Sequence, residues 1–411
     1  MKTKVFLIGP VLTRSGYGEQ ARFALRALKS REDLFDIYIQ PLQWGNTSWI
    51  SEESEEKTWI NKQIEKTIAF IQQGGKFDVS VQVTIPNEWK KTAAINIGYT
   101  AGIESNKVHH TWIQAVNQMD QVIVVSNHAK NVFEATTYTG IDDVTQQQIN
   151  LETTTEICAV NYPTKTFDDN PDISLGLEPK INFLSVAQWG PRKNVNNMIR
   201  WFVEEFKDEE VGFVLKTNRA KNCLMDREAC EGLLQGVLAD YEDLKCKVYL
   251  LHGDMTDAEM HALYTNEQIS AFVGIPHGEG FGLPFFEAAY SGLPVIATGW
   301  SGQLDFLVDE KGNDAFYNVS FDINTIGQES VWDGILIKES AWAYARETSY
   351  KENLRKCYND VKSGETTAAT EYADTLKERF SPEKMYAKFI ESMGLEIDTE
   401  WTEALSQIEI L

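Results

Sequence analysis

Apolar positions along the chain recur with two periods. Short apolar runs at Lys4–Ile8, Phe35–Gln40, Asp78–Val83, Ala94–Gly98 and Gln121–Val125 read as buried strands. Between them, Gln20–Lys29, Lys57–Gln73, His109–Gln118 and Ala129–Thr136 carry an apolar residue every three or four positions, which predicts helices. The alternation restarts with strands predicted at Ile181–Val186, Val211–Lys216, Lys247–His252, Ile269–Ile275 and Val295–Thr298. Strands alternating with helices imply an α/β chain built on doubly wound parallel sheets. The stretch 162–180, YPTKTFDDNPDISLGLEPK, is rich in Pro, Asp and Gly, lacks either period and reads as a linker. The tail is predicted helical over Trp342–Tyr358 and Thr366–Arg379, with a last helix begun by Pro382 and ending near Met393.

A length of 411 residues exceeds what one core usually organises, and 43% hydrophobic residues suffice for two. The expected division is a first domain over 1–165, a linker over 166–180, a second domain over 181–375 and a helical segment over 376–411. No apolar run of about twenty residues is present, so a cytoplasmic protein with at most peripheral membrane contact is expected. Five cysteines without ligand spacing, and six histidines without an HExxH-type cluster, predict buried thiols and no metal. The net charge of −23 is uneven, with 16 basic against 18 acidic residues in 1–165 and 22 against 43 in the remainder. Such a balance argues against general nucleic-acid binding.

Candidate chemistry lies where predicted strands end. Gly16 and Gly18 form a short glycine loop entering a helix, but the third glycine of a dinucleotide fingerprint is missing, which disfavours an NAD enzyme. Asn87, Glu88 and Trp89 follow the third strand and are candidates to contact an acceptor. Arg192 and Lys193 in QWGPRKN, with Lys216 at the end of the next strand, suit a diphosphate, because full charges add to the partial positive end of a helix. In the string from His277 to Thr298, HGEGFGLPFFEAAYSGLPVIAT, Gly280 and Gly282 remove side chains where backbone amides can approach a ligand, and a helix N-terminus follows.

Glu279, GFGLP, Glu287, Ala288, GLPVIAT, Ser301 and Gly302, in that order, resemble the signature of retaining glycosyltransferases of the GT-B fold, group 1 or family 4-like. GYTAGIES (98–105) with VIVVSNHAKNVF resembles the same group. The resemblance implies two Rossmann-like domains facing a cleft, with a C-terminal helix crossing back. It implies a metal-independent, retaining enzyme that needs no cofactor and moves a sugar from a nucleoside-diphosphate sugar to a hydroxyl acceptor: a glycan, a lipid-linked saccharide or a small molecule. By analogy Glu287 binds the ribose hydroxyls. Glu279, with the amides of Phe281 and Gly282 and the adjoining Leu283, holds the donor sugar; Arg192, Lys193 and Lys216 stabilise the leaving diphosphate. The glycine loop of Gly16 and Gly18 faces the donor phosphate or acceptor. The chain departs from the group at two places. Thr100 and Ala101 stand where many members have a histidine, which makes Glu104 the candidate beside the reacting carbon. Ala187 and Gln188 stand where the group has an arginine, which makes Arg192 its substitute. The missing histidine keeps open a non-catalytic sugar-nucleotide-binding protein, and the near-neutral first domain keeps open a transferase acting on modified DNA. Base, sugar, acceptor and oligomeric state are not readable from the sequence.

Overall fold

A computed structural model describes residues 2–141, 147–168 and 170–395. Its first sheet comprises β1 (Thr3–Gly9), β2 (Phe35–Pro41), β3 (Val79–Val83), β4 (Ile95–Thr100) and β5 (Gln121–Val124). A small antiparallel pair, β6 (Tyr138–Ile141) and β7 (Gln148–Leu151), precedes its last strand, β8 (Ile157–Ala159). The order is β2-β1-β3-β4-β5-β8, parallel throughout. The second sheet comprises β9 (Ile181–Gln188), β10 (Val211–Asn218), β11 (Lys247–Leu251), β12 (Ala271–Gly274), β13 (Val295–Thr298) and β14 (Tyr317–Val319), in the parallel order β11-β10-β9-β12-β13-β14. Covered on both faces, the central strands have little need of alternation: all five residues of β3 and all four of β12 are buried. In such sheets ligands bind beyond the carboxyl ends of the strands where the order reverses, which is between β1 and β3 in one sheet and between β9 and β12 in the other.

The helix Gly16–Lys29 follows β1 and is capped by Ser15, whose Oγ accepts the Gly18 amide at 2.9 Å. The helix Asn127–Ala135 follows β5, capped by Ser126. The helix Pro382–Glu391 crosses back onto the first sheet's side: Phe23 packs against Tyr386 and Phe389 at ring distances of 6.0 and 5.5 Å, and Tyr99 against Phe389 at 5.2 Å. The stretch read as a linker is not a loose tether at its start. Tyr162 is buried against Phe23 and Phe281, and Lys165 is ion-paired to both sides of the cleft.

Two predictions need correcting here, the first being that all five thiols are buried: Cys223 is exposed and Cys158 half-buried. Trp342–Tyr358 was expected as a single helix, whereas Ala341–Ala345 is a strand, β16, paired antiparallel with β15 (Phe321–Thr325), and the helix runs from Glu347 to Ser363. The pair carries a long loop that reaches the first domain. The loop's Ile335 and Leu336 pack against the cluster of Ile103, Trp112 and Phe133, and Asn106 bonds Ala341 through N–H to O (3.2 Å) and Oδ1 to H–N (2.7 Å). Trp342 is buried beside His277 at a ring distance of 5.4 Å; packing of the aromatic strand decides here over helical spacing.

Candidate functional site

The loop between β12 and the helix Leu283–Tyr290 is held by close backbone contacts. Gly282 has φ +94°, a conformation that side chains disfavour, and opens the helix with Pro284 in its first turn. Ser301, itself at φ +79°, accepts the Glu279 amide at 2.9 Å and donates to Gln303 at 2.9 Å. A methyl group on Gly302 would fall 2.0 Å from the Gly280 carbonyl, so these two segments touch directly. The Glu279 loop also meets the first domain. Ser126 Oγ donates to the Gly280 carbonyl at 2.5 Å, and a methyl on Gly278 or Gly280 would strike the carbonyls of Glu104 and Ala101 at 2.0 and 2.7 Å. These glycines are thus required by the approach of the two domains. Phe281 turns its ring into the core, between Tyr162, Phe286 and Phe306.

Glu279 is 6% exposed and lies between two cations. Its Oε1 accepts from Lys193 Nζ and its Oε2 from Arg192 Nη1 at 3.1 Å; Arg192 also donates to the Gly278 carbonyl at 2.7 Å and pairs with Glu104 at 3.2 Å. The result is a chain of alternating charge, Glu104, Arg192, Glu279, Lys193, running from the first domain into the second. Burial would push the Glu279 carboxyl up, but Lys193 and Arg192 hold it below the usual value. Burial, with Arg192 nearby, pulls the Lys193 ammonium down, partly offset by Glu279. The turn Pro191–Lys193 and Asn194, at φ +54°, aim both cations at this point.

Lys216, at the end region of β10, is 9% exposed and donates to the Gly253 carbonyl. Beside it Arg14, from the loop after β1, donates to the Met255 carbonyl at 2.6 Å and so crosses the cleft. Glu287 sits on the helix Leu283–Tyr290, and its carboxyl is pushed up to about 7. Burial is the main cause, with Asp257 and Glu19 adding to it and Lys165 opposing. Lys165 itself bridges Glu19 at 2.9 Å and Asp257 at 2.8 Å. Sequence reasoning missed Lys165 because it lies in a stretch with no period. It also missed Asp305, whose Oδ2 accepts from the Asn127 amide (2.8 Å) and Asn161 Nδ2 (2.8 Å) and so ties the helix Leu304–Leu307 to the first domain.

On the first domain's side, Tyr17 Oη pairs with Thr100 Oγ1 at 2.8 Å and accepts the Ala101 amide at 3.3 Å. Asn87 and Glu88 are exposed after β3. Trp89 is not available as an acceptor contact: it is 7% exposed, and a methyl on Gly98 would lie 2.4 Å from its ring, so the indole fills the space that glycine leaves. Gly18 has a similar internal reason, since a methyl there would fall 2.1 Å from the Thr13 carbonyl, whereas a methyl on Gly16 would meet nothing within 4 Å. Away from the cleft, Asp226, Cys230 and His252 gather their ligand atoms within 4.8 Å. The Asp226 carboxylate accepts from the amides of Arg219 (3.0 Å) and Ala220 (2.9 Å) and pairs with His252 at 2.8 Å, so its capacity goes into ordering the loop after β10.

Residues 168–324 match the family model of glycosyl transferases group 1. The molecule has the GT-B fold, and the region that matches glycosyl transferases group 1 lies in its second half. Among solved structures it is similar to HepE of Anabaena, a complex with UDP and glucose, at 13% identity and a TM-score of 0.61, covering 95% of this chain and 99% of that one. Sucrose-phosphate synthase of Thermosynechococcus elongatus matches at 13% identity and a TM-score of 0.59, covering 98% and 100%. The catalytic domain of starch synthase IV of Arabidopsis thaliana, bound to ADP and acarbose, matches at 11% and 0.56, covering 96% and 100%. At such identities the likeness concerns the fold. No curated protein matches the chain in sequence. Among the described residues no helix is long and apolar enough to cross a membrane.

Proposed function

We propose that the protein moves a sugar from a nucleoside-diphosphate sugar to a hydroxyl acceptor, with retention at the anomeric carbon and without a metal. The observation that carries this reading is the buried Glu279 held between Arg192 and Lys193, with Glu287 one helix turn beyond the glycine loop. An arriving diphosphate competes for the two cations, because phosphate oxygens and carboxylate oxygens make the same charge-assisted bonds. Glu279 is then released to accept hydroxyls of the donor sugar, beside the amides of Phe281 and Gly282. Glu287 takes the ribose hydroxyls, and Lys216 adds a third cation near the phosphates. The structures of HepE with UDP and glucose and of starch synthase IV with ADP and acarbose lend support by fold.

In the transfer step the acceptor oxygen bonds to the anomeric carbon as the bond from that carbon to the phosphate oxygen breaks. The acceptor proton passes to the departing phosphate on the same face. Charge accumulates on the leaving group, and prearranged cations in a closed cleft stabilise it by several kcal/mol without reorganising. Glu104, in contact with Arg192, positions that guanidinium from the opposite domain.

The test is a thermal-shift screen with UDP, GDP, ADP, CDP and their common sugar conjugates, followed by sugar-release and product-anomer assays. A selective shift with retained anomeric configuration is expected. No shift from any nucleoside diphosphate at millimolar concentration ends the reading.

A further inference from the structure

The cleft face of the first domain carries an aromatic pair that the reading above does not use. Trp44, in the loop after β2, stacks on Tyr17 with ring centroids 4.1 Å apart and planes 30° apart. Both side chains are partly exposed. Tyr17 is fixed from behind by Thr100 Oγ1 and the Ala101 amide, and the Ala101 carbonyl is the atom that a methyl on Gly280 would meet at 2.7 Å. The pair is therefore connected by direct contacts to the loop holding Glu279. Around it the space is open, since methyl groups added at Gly16 or Gly45 would meet nothing within 4 Å. Glu88 and Glu104 both bear electrostatically on Tyr17.

We propose that Tyr17 and Trp44 form the platform on which the acceptor stacks, and that this acceptor is a neutral saccharide. The proposal rests on the transferase reading and names its acceptor class. A pyranose ring presents a face of C–H bonds with partial positive charge, which complements the negative face of an aromatic ring. Carboxylates beside such a ring, here Glu88 and Glu104, take the sugar's hydroxyls. Charge at the pair selects against anions, since the carboxylates of Glu88 and Glu104 both act on Tyr17. Arg14, the cation of the loop after β1, is already engaged by Glu52 and the Met255 carbonyl. Phosphorylated lipids and nucleic acids, which need clustered cations, fit this rim poorly.

The experiment titrates the full chain calorimetrically with maltotriose, cellotriose, chitotriose and mannotriose, and separately with nucleoside diphosphates. It then repeats both titrations on Trp44→Ala, Trp44→Leu and Trp44→Phe. At least one trisaccharide is expected to bind, about tenfold more weakly to the Ala and Leu variants, with Phe restoring most of the affinity. The diphosphate isotherm should move far less than the saccharide isotherm. The Leu variant keeps apolar bulk, so its loss reports the missing aromatic face and not misfolding. Saccharide affinity independent of residue 44 overturns the proposal. So does the absence of any trisaccharide binding, or transfer only to glucose 6-phosphate or to hydroxymethylated duplex DNA. Saccharide binding that depends on Trp44 in a protein that binds no nucleoside diphosphate sustains the platform and removes the transferase reading alone.

Discussion

The two sheets share an architecture but present different chemistry to the cleft. Beyond the strand ends of the second sheet lie Arg192, Lys193 and Lys216, with Glu279 buried among them. Beyond those of the first lie Tyr17, Trp44, Thr100, Asn87 and Glu88, which offer rings, hydroxyls and acceptor groups, while the cations Arg14 and Lys165 are spent on Glu52 and Met255 and on Glu19 and Asp257. One side is arranged to handle charge and the other to handle shape. One of their points of contact is Arg192, which a carboxylate from each domain grips.

The largest effect that would test this contrast is at Glu279. Glu279→Ala leaves two half-buried cations short of a partner, and turnover should fall at least about a hundredfold, with a stability cost of about 1 to 3 kcal/mol. Sugar-release kinetics and denaturant melts read the two separately. Glu104→Gln touches the same chain of charges from the first domain, where the pair is partly exposed, and should cost stability only about 0.2 to 1 kcal/mol. Turnover as low as that of Glu279→Ala would give the first domain a share in the chemistry and break the contrast.

Next is the ribose contact proposed for Glu287. Glu287→Ala should weaken nucleoside diphosphate binding by about ten- to a hundredfold, the worth of one charge-assisted bond at about 1.5 to 3 kcal/mol. Unchanged affinity would remove Glu287 from the site. Its carboxyl titrates near 7 instead of 4.5, so the folded protein holds a proton there that the unfolded chain has lost. The stability this contributes is fully present below about 4.5 and lost as pH rises through about 7. Glu287→Gln should therefore raise the melting temperature relative to wild type at pH 8 and not at pH 4. In the wild type, nucleotide affinity should fall between pH 8 and pH 6.

Smaller effects separate the two glycines of the first loop. Gly18→Ala should destabilise measurably, because its methyl meets the Thr13 carbonyl, while Gly16→Ala should stay within about 0.5 kcal/mol in denaturant melts. Trp332, 65% exposed in the loop between β15 and β16, should be as neutral as Gly16 when changed to Ala.

Much of this could be read from the chain. Each strand at a sheet centre is an apolar run with glycine or polar residues after it, so β9, β12, β13 and the loops that follow stand out locally. The Glu279 and Glu287 spacing is likewise local. What escaped depended on partners far away. Trp89 looked like a side chain free at a strand end until Gly98, in the next strand, supplied its seat. Lys165 reads as one lysine among prolines, and its importance comes from Glu19 and Asp257, which no periodicity connects. Helical spacing in Trp342–Tyr358 was overruled at its start by pairing with Phe321–Thr325.

The β15–β16 excursion has a further consequence. It leaves the second half just where the family match ends, at residue 324, grips His277 through the Ala343 amide (3.0 Å) and carbonyl (2.9 Å), and finds its far seat on Asn106 and the Trp112 cluster of the first half. Two sheets joined by one short stretch invite the exchange of one half for another. In this protein a transplanted second half would arrive carrying an arm moulded to its original neighbour, so any productive chimera must exchange Asn106 and the surface around Ile335 and Leu336 along with it.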